Sequence, residues 1–296
     1  MKRKHQDDII FSPRYKQRIA CSISRKRKQD VLVPADTVCL FQIGRGPWAP
    51  SLSPFPLKLE TFLRMAKIQY MNDHSHRMSS KGKTPWMTFN GQPIADSQFC
   101  VEHLKTYFDL DLDKGLSKEQ CAVARAMREL TEENLYWTMC YESFIKRPQS
   151  LDILLKGVFS SFAIFMFKLL VGVVVRIELW GHGMGRHSDE EIWSIAQRDL
   201  QALSDTLVGK AFLMGDKPSE VDCAVFGMLS MVVWQMKGSR HETFVYESLP
   251  NLVEYCHRMR DRFWPDWQQQ CIGDHYVDDS HKLYSFTPEN GCTSSH

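Results

Sequence analysis

An α/β domain followed by an all-α domain is the architecture this sequence predicts, on three observations. Strand and helix signals alternate between Val38 and Phe108. Asn90-Gly91 lies between two short runs of strand-like residues, a strong hairpin signal because both central residues of a type I′ turn need positive φ. From Ser117 to about Trp267 apolar residues recur with a helical period and no strand alternation is convincing. At 296 residues the chain has room for two modest domains and tails.

Val38 to Ile43 is a short apolar run, expected as a strand buried on both faces. A loop rich in Gly and Pro follows, Gly44 to Pro54. Leu59, Phe62, Leu63 and Ala66 then recur at i, i+3, i+4 and i+7, one apolar helix face. Ile68 to Asn72 reads as a second strand. Trp86 to Phe89 enters the hairpin. Asp96 and Ser97 place an acid and a hydroxyl where the donors of a starting helix lie unpaired, with Ser97 a candidate cap, and the helix is expected to run to about Phe108. The order is β-α-β-β-α.

Three capping motifs open helices in the second half: Ser117 with Gln120, Ser188 with Glu191, and Ser219 with Asp222. Val123, Ala126, Met127, Leu130 and Trp137 are expected on one inward stripe of the first. Val158 to Val175 is almost continuously apolar, broken by Lys168. Its length sits at the lower limit for a bilayer span, and a central lysine costs roughly 2.5–3.5 kcal/mol on insertion, so a buried or interfacial helix is favoured over a span. The expected units are a basic, disordered arm over 1–36, an α/β domain over 37–110, a helical domain over 111–267 and a polar, disordered tail over 268–296.

A net charge of +2 supplies no global field, so nucleic acid is not an expected partner. Lys2-Arg3-Lys4 and Arg25-Lys26-Arg27-Lys28 read as a solvated arm, with nuclear import or attraction to acidic lipid as alternatives. The nine cysteines form no C-x-x-C. Their odd number, and a start without a cleavable leader pattern, predict reduced thiols in the cytoplasm. His74-x-His76 lacks a third nearby ligand, and no metal site is expected. Gly181-His182-Gly183-Met184-Gly185-Arg186 is not G-x-G-x-x-G and follows no strand, so it reads as an interhelical loop.

The run Thr84-Pro85-Trp86-Met87-Thr88-Phe89-Asn90-Gly91 through Asp96-Ser97 resembles the glutathione-transferase N-terminal domain, a thioredoxin-like unit, and Ser219-x-x-Asp222 resembles the buried cap of the transferase C-terminal domain. Ser51 to Met65, Gly181 to Ser188, and Arg262 to Trp267 narrow the resemblance to the failed axon connections homologs, a transferase-like group related to the metaxins. It spans about Asp36 to Trp267. The resemblance implies a cis Pro85, a Thr84 backbone facing the cysteinyl part of glutathione, and Asp96 and Ser97 holding its γ-glutamyl end. It puts Ser53 where a catalytic hydroxyl stabilises the glutathione thiolate, although Ser53 before Pro54 equally fits an N-cap and first helical residue. Ser219 and Asp222 become a structural cap. Two features depart from active transferases. The loop from Gly44 to Pro50 is longer and could displace Ser53, and Pro56 stands where relatives tend to have Cys, which disfavours thiol redox chemistry. The implied function is an interaction protein in axonal development with weak or no catalysis and no required cofactor. The alternatives are an active glutathione-dependent transferase or detoxification enzyme, and a metaxin-like membrane-associated adaptor. Expected partners are unidentified proteins, glutathione, a membrane through 158–175 and a second copy. The expected location is the cytoplasm, with membrane association or nuclear import as alternatives.

Overall fold

The computed structural model describes residues 33–155, 160–272, 279–286 and 293–295. The basic arm expected over 1–36 therefore lies outside the described residues except for its last four. Ala35–His296 form one compact unit.

The strand and helix order of the first half follows the sequence pattern. Strands β1 (Val38–Phe41) and β2 (Tyr70–Asp73) are buried at every position and run parallel, with helix α1 (Pro54–Met65) between them. Strand β3 (Trp86–Phe89) lies antiparallel to β1 and turns into β4 (Gln92–Ala95). Asn90 and Gly91 take φ of 48° and 79°, the positive values such a turn requires. Helix α2 (Ser97–Phe108) packs back on this sheet through Cys100, Val101 and Leu104.

The tail departs from expectation. Beyond Trp267, a one-turn helix (Trp267–Gln270) and strands β5 (Leu283–Ser285) and β6 (Thr293–Ser295) are formed, so the disorder expected over 268–296 does not hold for these segments. β5 pairs antiparallel with β2, giving the order β4-β3-β1-β2-β5-β6. Few apolar residues mark the tail, but Tyr284 stacks on Tyr70 with ring centroids 4.6 Å apart, covering what would be a bare edge of β2.

The second half is helical: α3 (Lys118–Glu129), α4 (Tyr136–Cys140), α5 (Ser150–Leu154), α6 (Ser161–His182), α7 (Asp189–Leu207), α8 (Glu220–Ser230), α9 (Arg240–Ser248) and α10 (Pro250–Phe263). Wide π-type turns at Leu130–Leu135 and Tyr141–Lys146 join α3 to α4 and follow it. Val123 and Ala126 face solvent, and the buried side runs through Ala124, Thr131, Leu135, Thr138 and Met139. The wide turn at Leu130–Leu135 holds more than the usual 3.6 residues, so one stripe cannot be carried across it to Trp137; Val123 and Ala126 precede it, in the regular helix α3, whose buried side is marked by Ala124. Every residue of α8 after Glu220 is buried. Gly227 brings α8 against α1, since a Cβ there would lie 2.7 Å from the Pro54 carbonyl oxygen and 3.0 Å from the Lys58 nitrogen.

Helix α6 is the second departure. Ile164, Gly172, Val175 and Leu179 are buried, and most of the remaining apolar side chains are exposed. A buried all-round helix is thus not what forms. Among the described residues no helix is long and apolar enough to cross a membrane.

Candidate functional site

Sheet register gathers the predicted residues. Phe41, the last residue of β1, lies opposite Trp86, and Trp86 lies opposite Ala95. Thr84-Pro85, immediately before β3, and Asp96-Ser97, immediately after β4, therefore share one end of the sheet with the loop leaving β1. The Thr84-Pro85 bond is cis. Phe41 and Trp86 stack with centroids 3.9 Å apart beneath it. The starts of α1 and α2 also adjoin, because Lys58 Nζ donates to Gln98 Oε1 at 2.9 Å. Ser97 and Pro85 are buried, Ser53 and Thr84 half-buried, and Asp96 exposed.

Asp96, rather than Ser97, caps α2. Its Oδ1 accepts from the backbone N–H groups of Gln98 at 2.9 Å and Phe99 at 3.4 Å. It does so at a φ of 90°, a conformation that side-chain-bearing residues adopt at a cost of about 1–3 kcal/mol. The carboxylate is left beside the donors of a helix start, an arrangement suited to the ammonium and carboxylate of an amino-acid end.

The start of α1 is built differently. Ser53 has extended backbone at the N-cap of α1, and its hydroxyl makes no capping bond. The reason is in the sequence: Pro54 and Pro56 occupy the first and third helical positions and carry no N–H. The Ser53 N–H donates to Ser51 Oγ at 3.2 Å. Phe55 alone remains as a first-turn donor, so this helix start is poor at holding a thiolate.

The long loop before Ser53 is clamped. Arg45 is fully buried, and its guanidinium donates to the Pro50 carbonyl at 2.8 Å and to both oxygens of Glu60 at 2.7 and 3.0 Å. It also makes two hydrogen bonds with Asp279 from the tail, one at 3.1 Å. Asn72 donates to Asp279 at 2.7 Å, Tyr284 donates at 3.1 Å, and His74 Nε2 lies 2.9 Å away. Arg45 and His74 hold the Asp279 carboxyl well below the usual carboxylate range, against the burial that raises it. Ile272 N–H donates to the Gly46 carbonyl at 2.8 Å, and Gln235 Nε2 to the Ser51 carbonyl at 2.9 Å.

A second buried bridge joins the two halves. Lys58, on α1, pairs with Glu132 at 2.5 Å, and Gln98 donates onward to Glu220 at 3.0 Å. No short motif in the sequence marks Arg45, Lys58, Glu60, Glu132 or Asp279. The available signal was a charge inside an apolar frame: Lys58 lies between Leu57 and Leu59, and Glu60 two residues before Phe62.

Ser219 and Asp222 form the expected cap at the start of α8. Asp222 is wholly buried and accepts from Ser219 N–H at 2.8 Å, Ser219 Oγ at 2.9 Å, Leu213 N–H at 3.0 Å and Tyr255 OH at 3.0 Å. Among the described cysteines none is paired. Burial pushes the thiols of Cys100, Cys140 and Cys271 up to about 12, so none is a ready nucleophile. Among the described residues no His, Cys, Asp and Glu cluster is placed to hold a metal. A cleft of about 210 Å³ runs between Gln98, Lys105, Asp113, Arg128 and Glu220, and does not reach Ser53.

Comparison with known proteins agrees with this geometry. Two family descriptions match, the glutathione S-transferase N-terminal domain over residues 54–149 and the glutathione S-transferase C-terminal domain over residues 196–259. The chain is 35% identical over 255 residues to Failed axon connections of Drosophila melanogaster, covering 80% of this chain and 60% of that protein, so it spans less than two thirds of that relative. It is 28% identical over 230 residues to the isoprene-epoxide–glutathione S-transferase of a Rhodococcus strain, covering 72% of this chain and 94% of that one. Metaxin-2 of Mus musculus is 22% identical over 217 residues, covering 71% and 82%. The crystal structure of the β-etherase LigF from a Sphingobium strain shares the fold, with a TM-score of 0.52 at 16% identity over 75% of this chain and 94% of that one. The thioredoxin-like sheet with its helical partner, the cis Thr84-Pro85 bond and these matches together place the chain in the glutathione-transferase-like family of Failed axon connections, related to the metaxins.

Proposed function

We propose that the protein works through interactions, in the cytoplasm and in axonal development, and that its transferase site binds glutathione weakly and turns it over slowly or not at all. The observation that carries this reading is the start of α1. Two prolines strip two of the three first-turn donors beside Ser53, while the start of α2 carries a full set of backbone N–H groups and the Asp96 carboxylate, which accepts from two of them. The binding half of a transferase site is thus retained next to a weakened catalytic half. The exposed apolar face of α6 supports a role in contact with other surfaces. The axonal part rests on the name of the Drosophila relative alone.

Titration of the purified protein with glutathione tests the reading. Binding of about millimolar strength is expected. It should be lost in Asp96→Ala and unchanged in Ser53→Ala. Micromolar affinity that depends on Ser53 would contradict it. The second reading, an active glutathione-dependent enzyme, is favoured by one observation: the Rhodococcus relative, whose name gives it a glutathione transferase activity, is matched over 94% of its length.

A further inference from the structure

We propose that α6 docks flat on the surface of an anionic lipid bilayer, a surface the preceding reading leaves unidentified and on whose interaction role this inference rests. Ile164, Lys168, Gly172, Val175 and Leu179 mark the side of the helix turned toward the protein. At 3.6 residues per turn the opposite arc carries Phe162, Leu169, Leu170, Val173, Ile177 and Trp180. Phe162, Leu169, Ile177 and Trp180 are 74%, 59%, 67% and 61% exposed. Over the 22 residues of the helix, about 33 Å long, that arc holds no charged side chain.

The chemistry of the arc selects its occupant. Protein interfaces carry about one hydrogen bond per 100–200 Å², and here only the Trp180 indole could supply one. A bilayer asks for none, and a tryptophan at the end of an apolar helix suits the headgroup level. The rim is basic. Arg176 stands beside the arc, donating to the Gly172 carbonyl at 3.4 Å. Arg186 lies 5.5 Å from the Trp180 ring. On the flank toward Glu178 the charge is balanced, since Lys83, from the segment before β3, pairs with that carboxylate at 3.7 Å. The sequence adds a second electrostatic signal in Lys2-Arg3-Lys4 and Arg25-Lys26-Arg27-Lys28. An apolar face together with basic clusters is the combination that gives stable peripheral binding to acidic lipid.

The test is flotation of the full chain with vesicles of phosphatidylcholine containing phosphatidylserine, comparing wild type with the triple variant Leu169→Gln, Val173→Gln, Ile177→Gln. These side chains are exposed, so an unchanged melting temperature should show that the variant folds. Wild type should float, and the variant should lose at least about tenfold in affinity. Failure of the wild type to float, or equal flotation of both proteins, would overturn the proposal. So would a wild-type dimer in solution that the variant converts to a monomer, because a second copy would then be the occupant. None of these outcomes depends on glutathione, so weak or strong turnover at Ser53 leaves the result readable.

Discussion

Pro54 and Pro56 remove two of the three first-turn donors, and the Ser53 hydroxyl makes no capping bond to the third. Ser53→Ala should therefore change stability by less than about 0.5 kcal/mol, below the cost of losing a working cap. Asp96→Ala should cost about 1–2 kcal/mol, because two backbone donors lose their acceptor. Urea unfolding of both variants measures the contrast, and equal losses would refute it. His241 gives a pH prediction. Burial, with help from the Arg240 charge, lowers its pKa from 6.5 to about 3. A base depressed in the folded state contributes stability that is complete above 6.5 and is lost as pH falls toward 3, amounting to roughly 4–5 kcal/mol at most. His241→Gln should flatten the stability profile between those values, and a profile as steep as wild type would assign the acid loss to other groups. Both effects are partly legible in sequence. The prolines are visible, and their consequence follows once the helix start is known. The burial of His241 is not visible, because it depends on Thr138, which lies at 3.1 Å from Nε2, and on Trp193, both distant in the chain.

The elements divide by how local their signals are. The Asn90-Gly91 hairpin, α2 and the Ser117, Ser188 and Ser219 caps were readable because each is decided within four residues. The π-type turns were not, since no short motif announces an extra residue per turn. Strand β5 was hidden for another reason: it is held by Asp279 and Tyr284 meeting Arg45, His74 and Tyr70, partners some two hundred residues away. Removing Asp279 leaves Arg45 short of a buried counter-ion. Asp279→Ala should cost about 3–5 kcal/mol and should speed hydrogen exchange in the 44–53 loop, which Arg45 and Ile272 hold through Pro50 and Gly46. Stability and exchange close to wild type would mean that the tail merely lies on the sheet. The exposure of α6 was half legible. Its apolarity is plain in sequence, but which arc meets the bundle is decided by Tyr136, Cys140 and Phe144 on the neighbouring turns.

At the scale of the molecule, the two halves are joined by Lys58 with Glu132, by Gly227 against Pro54, and by Arg64, which pairs with Asp266 at 2.5 Å beneath the Trp264 ring. The chain has a transferase architecture, and fold alone does not carry the activity. Without a membrane-crossing helix among the described residues, alkaline carbonate should release the protein from membranes; retention that disappears on deleting 158–175 would show instead that this segment inserts. The most direct measurement of the central claim is conjugation of glutathione to a panel of electrophiles by wild type and Ser53→Ala. The two proteins should give the same rate, at or near background. Robust turnover by wild type, abolished in a folded Ser53→Ala, would make the protein an enzyme and contradict the account.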